Sequence, residues 1–441
     1  MRELGNFRID FVRNVSLGVA SMACQSLFIL ADTFFIANGV GAAGIASLNI
    51  VLPVISIING IGWMMGVGGG TLFSTSLGRE QTDLANEYFS FTTMLALIVG
   101  LLFVLFSWLL SHQILTFLGA SDKIYVLAKE YYDVVTGFSF LFIINNMFIT
   151  FLRNDHNPKL AMVAFSVGGI LNILLDYIFI FPLDMGMKGA AWATVISPLA
   201  SMAIMSLHIK NNSRELRFRR WSIGLRSAKR VVMLGFSSFL NEFSSALIMF
   251  LFNIVLLNLV GDIAVSAYAI IANMNIIAIS IFTGIGQGIQ PLASINFGAK
   301  NYELVKKTLK YGLCIALAMG VLFFVLGLSF SREIVSIFNG DNNEMLSSIA
   351  EPGLSMYFLS FLFAGVNFVA VFFTAAIGKS RMSMTISLLR GLVLIVPVLF
   401  VMKHAMGIDG VWLTMPVVEL LTFVFVVGGL VSKKITTNNI I

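Results

Sequence analysis

The sequence predicts an all-α membrane protein of twelve transmembrane helices, arranged as two six-helix bundles related by a pseudo-twofold axis along the membrane normal. Three observations predict this class. Hydrophobic residues make up 58% of the 441 residues and charged residues only 11%, whereas soluble globular chains carry about 25% charged residues. The apolar residues fall into windows long enough to cross a bilayer. The chain also matches itself when it is shifted by 220 residues.

Windows of about 20 mostly apolar residues divide the chain into twelve predicted spans. The spans of the first half cover 11–38, 44–72, 86–111, 125–152, 159–182 and 188–209. Those of the second half cover 231–260, 264–291, 306–330, 348–377, 382–402 and 408–432. We therefore expect an N-lobe over residues 1–209, a basic cytoplasmic linker over 210–230 and a C-lobe over 231–441.

The basic residues predict the orientation of the chain, because cytoplasmic loops accumulate Lys and Arg. Of the 28 Lys and Arg residues, 22 fall in segments on the side of the N-terminus. The opposite side holds only Lys123, Lys188, Arg332 and Lys403. Both termini are therefore expected in the cytoplasm. The basic linker follows the same charge rule, although a patch that binds lipid or nucleic acid is an alternative reading of it.

The internal repeat relates the two halves in parallel. "GVGGGTLFSTSLGREQTDL" (66–84) aligns without gaps with "GQGIQPLASINFGAKNYEL" (286–304), and "GMKGAAWAT" (186–194) resembles "GIDGVWLT" (407–414). Repeats of six spans enter and leave on the same side, and such halves usually enclose a central cavity and rock against each other. The architecture favours transport. The shared glycines are expected to be scaffold, because small residues let membrane helices approach closely.

Two carboxylates of the first half have no counterpart in the second. At an offset of 220, Asp32 falls opposite Phe252, and Asp176 falls opposite Val396. A charged carboxylate at the centre of a membrane helix costs about 2.5–3.5 kcal/mol. Features confined to one half are candidates for function, so both acids are candidate ion-binding groups. The alternative is an aspartate that only forms a hydrogen bond between helices.

The spacing of the polar residues places each acid on the same helix face as an amide side chain. Gln25 and Asp32 are seven residues apart, and Asn172 and Asp176 are four apart, so each pair lies on one face of a helix. Such a face must turn toward protein or a water-filled cavity. We expect the two faces to meet and their acids to hold a proton or a cation. Glu419 lies in the twelfth predicted span, and Arg390 in the eleventh is its candidate partner.

The chain resembles the multidrug and toxic compound extrusion (MATE) family, and in particular its bacterial DinF-like and multidrug-pump branches. The residues that carry the resemblance are "ADTFFI" in the first span, "NILLDYIFIFPLDMGMKGAAWATVIS" in the fifth and sixth, and "QPLASINFGAKNYELVKK" after the eighth. The resemblance extends through essentially the whole chain. It implies a twelve-helix exporter of organic cations and drugs, driven by inward H⁺ or Na⁺, with a V-shaped cavity between two lobes.

The resemblance also implies where the coupling ion binds. It assigns the N-lobe site to six polar residues, namely Gln25, Asp32, Tyr131, Asn172, Asp176 and Thr194. Na⁺, if it is the coupling ion, would bind at Asp32 and Asp176. Glu242 in the seventh span matches a C-lobe carboxylate of some members and is a possible second site.

The chain departs from the family pattern in two places. Many members have a proline early in the first span, whereas "NVSLGVAS" has none, which leaves Gly18 as the position that could bend. Residues 353–378 contain no acid, so the aspartate that certain Na⁺-coupled members carry in the tenth span is missing. The choice between H⁺ and Na⁺ therefore stays open.

Two other functions compete with export. A flippase of lipid-linked saccharides belongs to the same broad superfamily, but it commonly has more spans and a cationic cavity. A polytopic membrane enzyme would need a catalytic motif such as His-Glu-x-x-His, which the sequence lacks. We expect a monomeric, non-enzymatic transporter of the cell inner or plasma membrane that contributes to antibiotic resistance. Apart from the coupling ion it needs no cofactor, and it binds no nucleic acid.

Overall fold

A computed structural model describes residues 2–209, 215–339 and 343–432, and these ranges are almost entirely helical. The first half holds α1 (Arg2–Gly39), α2 (Ala42–Gly78), α3 (Thr82–Leu109), α4 (Ser111–Phe117), α5 (Asp122–Gly137), α6 (Ser139–Asn154), α7 (Pro158–Ile180) and α8 (Gly186–Ile209). The second half holds α9 (Leu225–Leu259), α10 (Asp262–Gly298), α11 (Tyr302–Ser329), α12 (Ser331–Phe338), α13 (Glu344–Phe358), α14 (Phe361–Ala376), α15 (Ser380–Leu388), a π-helical turn (Leu389–Val393) and α16 (Ile395–Val431).

The prediction of twelve spans is confirmed, although two of them are bent and two others are joined in one continuous segment. Within the described ranges, nine continuous segments are long and apolar enough to cross a bilayer. Two further spans are bent pairs, α5 with α6 at 53° and α13 with α14 at 46°. The last of the nine segments, Ser380–Val431, contains two spans, because Gly407 interrupts α16 with a φ of 60°.

The 220-residue repeat reappears in the helix boundaries. The bounds of α10 and α11 are those of α2 and α3 plus 220, and α12 begins 220 residues after α4. Both α2 and α10 follow a glycine with positive φ, 84° at Gly41 and 100° at Gly261, a conformation that favours glycine. The two halves therefore share one scaffold, as the sequence predicts.

Several predicted boundaries are wrong because helices continue beyond the apolar windows. α1 begins at Arg2 rather than at residue 11, and its early turns are held because Phe11 packs edge-on against Tyr311 at 5.5 Å. α9 begins at Leu225, inside the predicted linker, since Arg and Lys are good helix formers. Residues 210–214 of that linker lie outside the described residues, and so do residues 433–441 at the end of the predicted C-lobe.

The described part of the linker is bound to the first half of the chain. We call residues 215–222 the strap. Four of its backbone N–H groups donate to side chains, three of which lie on α3. The bonds run from Leu216 to Asp155 (3.2 Å), Arg217 to Asn86 (2.7 Å), Arg219 to Ser90 (2.8 Å) and Ser222 to Glu87 (2.9 Å). Asp155 is fully buried beside His208, whose Nε2 lies 2.6 Å from Oδ2 of Asp155. The strap is thus an integral part of the N-lobe.

The two lobes meet along α1, α2, α9 and α10, with α1 against α10 and α2 against α9. Glycines make these crossings possible. A Cβ at Gly78 would overlap the backbone of Ile295, and one at Gly298 would overlap the backbone of Thr75. Gly78 and Gly298 are therefore scaffold residues that let helices of opposite lobes touch, in agreement with the scaffold role predicted for the repeat glycines.

Helix α1 belongs to both lobes. Its first half packs on the C-lobe, where Gly18 lies against the backbone of Gly284 in α10. Its second half packs on α7 of the N-lobe. Since α1 is a continuous helix here, Gly18 serves a close approach in this structure. A displacement of α1 in one lobe therefore also acts on the other lobe.

Candidate coupling-ion site

The polar faces of α1 and α7 contact each other at a point where an aromatic ring of α1 packs on a glycine of α7. The Phe28 ring lies so close to Gly169 that a Cβ there would overlap it, and it also meets the Phe165 ring at 5.6 Å. Phe28 precedes Asp32 by one helical turn, and Gly169 precedes Asp176 by two. The glycine therefore sets a close spacing between the helices that carry the two acids.

The acids of the two helices meet side chain to side chain. Asp32 and Asp176 lie within hydrogen-bonding reach of each other. Asp176 is completely buried and Asp32 is half-buried. Both carboxyl oxygens of Asp176 and Oδ1 of Asp32 are enclosed, and within the described ranges no protein donor reaches them. Two carboxylates at this range repel each other unless a proton or a cation lies between them. The pair is chemically suited to hold one positive charge.

Two hydroxyl groups lie beside the acid pair. The Tyr131 side chain is 1% exposed, and both acids lie within electrostatic reach of it. Its hydroxyl is 3.4 Å from Oγ1 of Thr194. Because Oγ1 of Thr194 donates to the Ala190 carbonyl at 2.9 Å, it accepts from Tyr131. Helices α5 and α8 thus contribute a short hydroxyl chain to the site that α1 and α7 build.

The two amides of the predicted set differ in their placement. Asn172 is buried one turn before Asp176, and its Nδ2 donor has no hydrogen-bond partner within the described chain. Gln25 is half-buried two turns before Asp32 on α1. The structure therefore brings together Asp32, Asp176, Tyr131 and Thr194, places Asn172 beside them, and leaves Gln25 farther along the same helix face.

Glu242 lies apart from this cluster, in α9 of the other lobe. It is half-buried, and its helix passes Gly60 of α2, where an added Cβ would sit 3.4 Å from the Glu242 Cβ. It therefore faces the boundary between the lobes and does not belong to the acid pair.

The C-lobe holds a buried ion pair that fits the sequence interpretation of Glu419. Arg390 Nη2 lies 2.6 Å from Glu419 Oε1, and the Arg390 guanidinium stacks on the Phe368 ring at 3.8 Å. Asn367 donates to Glu419 Oε2 at 2.7 Å. Arg390 lies in the π-helical turn, a local widening that often marks functional positions. Unlike the acids of the N-lobe, Glu419 is neutralised by a permanent cation.

Arg153 is not the loop residue that the apolar windows predict. The predicted fourth span ends at residue 152, but α6 extends to Asn154, and Arg153 is only 3% exposed. Its partners are Ser21 and Gln287, which lie far away in sequence. No local signal distinguishes this arginine from the loop cations that follow other spans.

The oxygen atoms at the acid pair suit a proton or a small hard cation. Carboxylate, amide and hydroxyl oxygens are ligands for hard cations. Across the described residues, no group of three or more His, Cys, Asp or Glu side chains comes together. The site is thus a pair of acids with neutral neighbours.

Comparison with known proteins agrees with this architecture. A family profile described as MatE matches residues 19–178 and 237–401. The chain belongs to the MatE family. Its members are transporters, so the chain is a multi-pass membrane transporter of the multidrug efflux type rather than an enzyme.

Curated relatives and solved structures are similar over most of the chain. The Multidrug export protein MepA of Staphylococcus aureus (strain MRSA252) is 28% identical over 380 residues, which cover 83% of this chain and 81% of that protein. A MepA of Staphylococcus saprophyticus is 26% identical over 374 residues, with the same coverage of both chains.

Two solved structures share the fold. The outward-facing conformation of a multidrug resistance MATE family transporter has a TM-score of 0.89 at 22% identity, and the match covers 97% of this chain and 96% of that one. A mutant of the Vibrio cholerae MATE transporter VcmN has a TM-score of 0.89 at 20% identity and 99% coverage of both chains. At these identities the structures support the fold alone.

Proposed function

We propose that the chain is a secondary active antiporter that exports organic cations and drugs in exchange for H⁺ or Na⁺. The observation that carries this proposal is the buried contact between Asp32 and Asp176, whose enclosed oxygens lack protein donors in the described part of the chain. An acid pair of this kind gains a proton or a cation from one side of the membrane and releases it to the other.

The surroundings of the pair couple ion binding to a change of shape. When the pair holds a positive ion, the two carboxyl groups attract a shared charge, and α1 and α7 stay close together. When the ion leaves, the carboxylates repel each other, and the donors of Tyr131 and Asn172 become the available partners. Because α1 also packs on α10, this rearrangement biases the contact between the lobes. The ion thus acts by a differential affinity for two states.

The relatives supply the substrate class. The MepA proteins are named multidrug export proteins, and the acidic site of the N-lobe attracts cations and repels anions. A flippase of lipid-linked saccharides moves an anionic substrate, which the Asp32–Asp176 pair disfavours. We propose organic cations as substrates, with no nucleotide or other cofactor.

The proposed setting is the cell inner or plasma membrane. Both chain termini lie in the cytoplasm by the charge rule, the lipid bilayer is the one obligatory partner, and the transporter acts as a monomer. Efflux of antibiotics by such a protein raises the resistance of its host.

A reconstitution experiment tests the proposal. Purified protein in liposomes is given a pH gradient, a Na⁺ gradient or neither, and the movement of a fluorescent organic cation is followed. We expect uphill movement with at least one gradient and none without. Uphill movement with neither ion would contradict the proposal, as would transport of anionic lipid-linked saccharides in its place.

A further inference from the structure

A buried polar cluster joins the two lobes beside the point where α1 passes from one lobe to the other. We call its members the interlobe lock. They share low exposure and side-chain bonds to another helix, and they are Ser21 of α1, Thr71 of α2, Arg153 and Asn154 of α6, and Gln287 and Gln290 of α10.

Arg153 is the centre of the lock. Its Nη2 donates to Ser21 Oγ at 2.9 Å, and its Nη1 donates to Gln287 Oε1 across the lobe boundary. Its hydrogen-bond partners are neutral, so the guanidinium is buried without a counter-ion among the described residues. A buried charge needs such hydrogen bonds to be tolerated. Arg153 is therefore stable in this place only while Gln287 of the other lobe remains in contact.

A second chain of bonds crosses the same boundary. Asn154 Nδ2 donates to Gln290 Oε1 at 3.1 Å, and Gln290 Nε2 donates to Thr71 Oγ1 at 3.0 Å. Gln290 lies three residues after Gln287, on the same face of α10. Both amides of α10 thus reach into the N-lobe, and neither finds its partner in its own lobe.

The lock lies beside a closely packed part of the lobe boundary, where α1 crosses α10. The Cα of Val15 would be 2.6 Å from a Cβ added at Gly288, and Gly18 lies against Gly284. Contacts this close leave no passage for a substrate. On this side of the membrane the lobes are closed, and alternating access requires these bonds to break and re-form in each cycle.

We propose that Arg153 is a positioning residue of the transport cycle, which holds the lobes closed on the side of the chain's N-terminus. Its positive charge also repels a cation that would return through the closed side, as fixed arginines do in other pores. The inference deepens the proposed export function, but the closing role depends only on the contacts between the lobes.

Cysteine accessibility tests the lock without any transport assay. Cys24 and Cys314 are replaced by Ala, and Val15→Cys supplies one thiol at the α1–α10 crossing, where Val15 is 5% exposed. The rate of reaction with N-ethylmaleimide in liposomes then reports opening. In this background we expect Arg153→Gln to raise the rate about tenfold or more, because it removes the charged donor that joins the lobes.

A variant with the opposite expected effect makes the test independent of folding defects. Gln287→Glu gives Arg153 a carboxylate partner and strengthens the closed state. We expect it to slow the reaction about tenfold and to slow cation export as well, since the lock then opens rarely. A variant that was merely misfolded would react faster, not more slowly.

The matched control stays within one lobe. Asn146 lies two turns before Arg153 on α6, and its Nδ2 donates to Asn59 Oδ1 of the same lobe at 2.9 Å. Asn146→Ala should leave the reaction rate of Val15→Cys unchanged. The proposal is overturned if Arg153→Gln has no more effect than this control, or if Gln287→Glu accelerates the reaction. Should the liposomes export no cation, the reaction rates would still decide whether the lock exists.

Discussion

Replacing Asp32 by asparagine separates a coupling role from a structural one. The change keeps the size of the side chain and its hydrogen-bonding capacity but removes the ionisable group. The introduced amide can donate to Asp176, whose oxygens otherwise lack a protein donor in the described ranges. Such a bond contributes about 0.5–1.5 kcal/mol. We therefore expect the variant to insert and fold, with a melting temperature equal to or slightly above that of the parent.

The expected loss of transport follows from the exchange stoichiometry. Exchange of one proton for one monovalent cation moves no net charge, so the pH gradient alone drives it. One pH unit corresponds to about 1.36 kcal/mol, which supports roughly a tenfold cation gradient. In Asp32→Asn the amide donates to Asp176 whether or not a proton is present, so the site offers the gradient no difference in affinity. The ratio of the cation concentrations on the two sides of the membrane should fall to about one.

The assay compares the steady-state cation gradient in liposomes at a pH difference of one unit, with the membrane potential held at zero, and repeats it with a tenfold Na⁺ gradient. Asp133→Asn is the matched control, because Asp133 lies in the same lobe but is paired with Lys129 at 2.7 Å near a helix surface. Asp176→Asn should resemble Asp32→Asn. A tenfold gradient maintained by Asp32→Asn would show that this aspartate is structural.

Three further changes test the neighbouring contacts. Tyr131→Phe removes the hydroxyl beside the acid pair, so the concentration of coupling ion at half-maximal transport should shift up to about tenfold, while the maximal rate changes little. Glu419→Gln leaves Arg390 without its buried carboxylate, which costs about 3–5 kcal/mol of folding stability. Thermal denaturation should therefore show a large loss of stability. The folded fraction should still maintain the cation gradient. Asp155→Asn weakens the attachment of the strap, so limited trypsin digestion should cut within 215–222 faster than in the parent, and an equal cutting rate would contradict this.

The helical scaffold could be predicted because its signals are local and repeated. Each span is an apolar window, and the glycines of "GVGGGTLFSTSLG" and "GQGIQPLASINFG" mark matching positions in both halves. The bends in the fourth and tenth spans could not be predicted in this way. They depend on how α6 and α14 pack between neighbouring helices, and an apolar window looks the same whether the helix is straight or bent.

The acid pair could be inferred from the sequence, but its surroundings could be inferred only in part. A costly carboxylate in an apolar helix must be buried in protein, and its polar face shows which way it points. Tyr131 and Thr194 follow only from the family resemblance, since a single hydroxyl in a membrane helix carries no such cost. The sequence does not reveal that Arg153 is buried, because its burial depends on Gln287, which is 134 residues away in the chain and on the other lobe.

The asymmetry between the lobes explains how one shared scaffold can respond to an ion. Both halves have the same helix plan, so the scaffold alone gives neither half a preference for H⁺ or Na⁺. In the C-lobe, Arg390 permanently neutralises Glu419, and the pair holds its neighbouring spans together whatever ions are present. In the N-lobe, no basic side chain of the described residues pairs with Asp32, so in the proposed cycle its charge state follows the ion that binds. Asp32 lies on α1, whose other end packs on the C-lobe beside the Arg153 contact. In the proposed cycle, an ion that binds to the N-lobe or leaves it therefore acts on the boundary between the lobes through a single continuous helix.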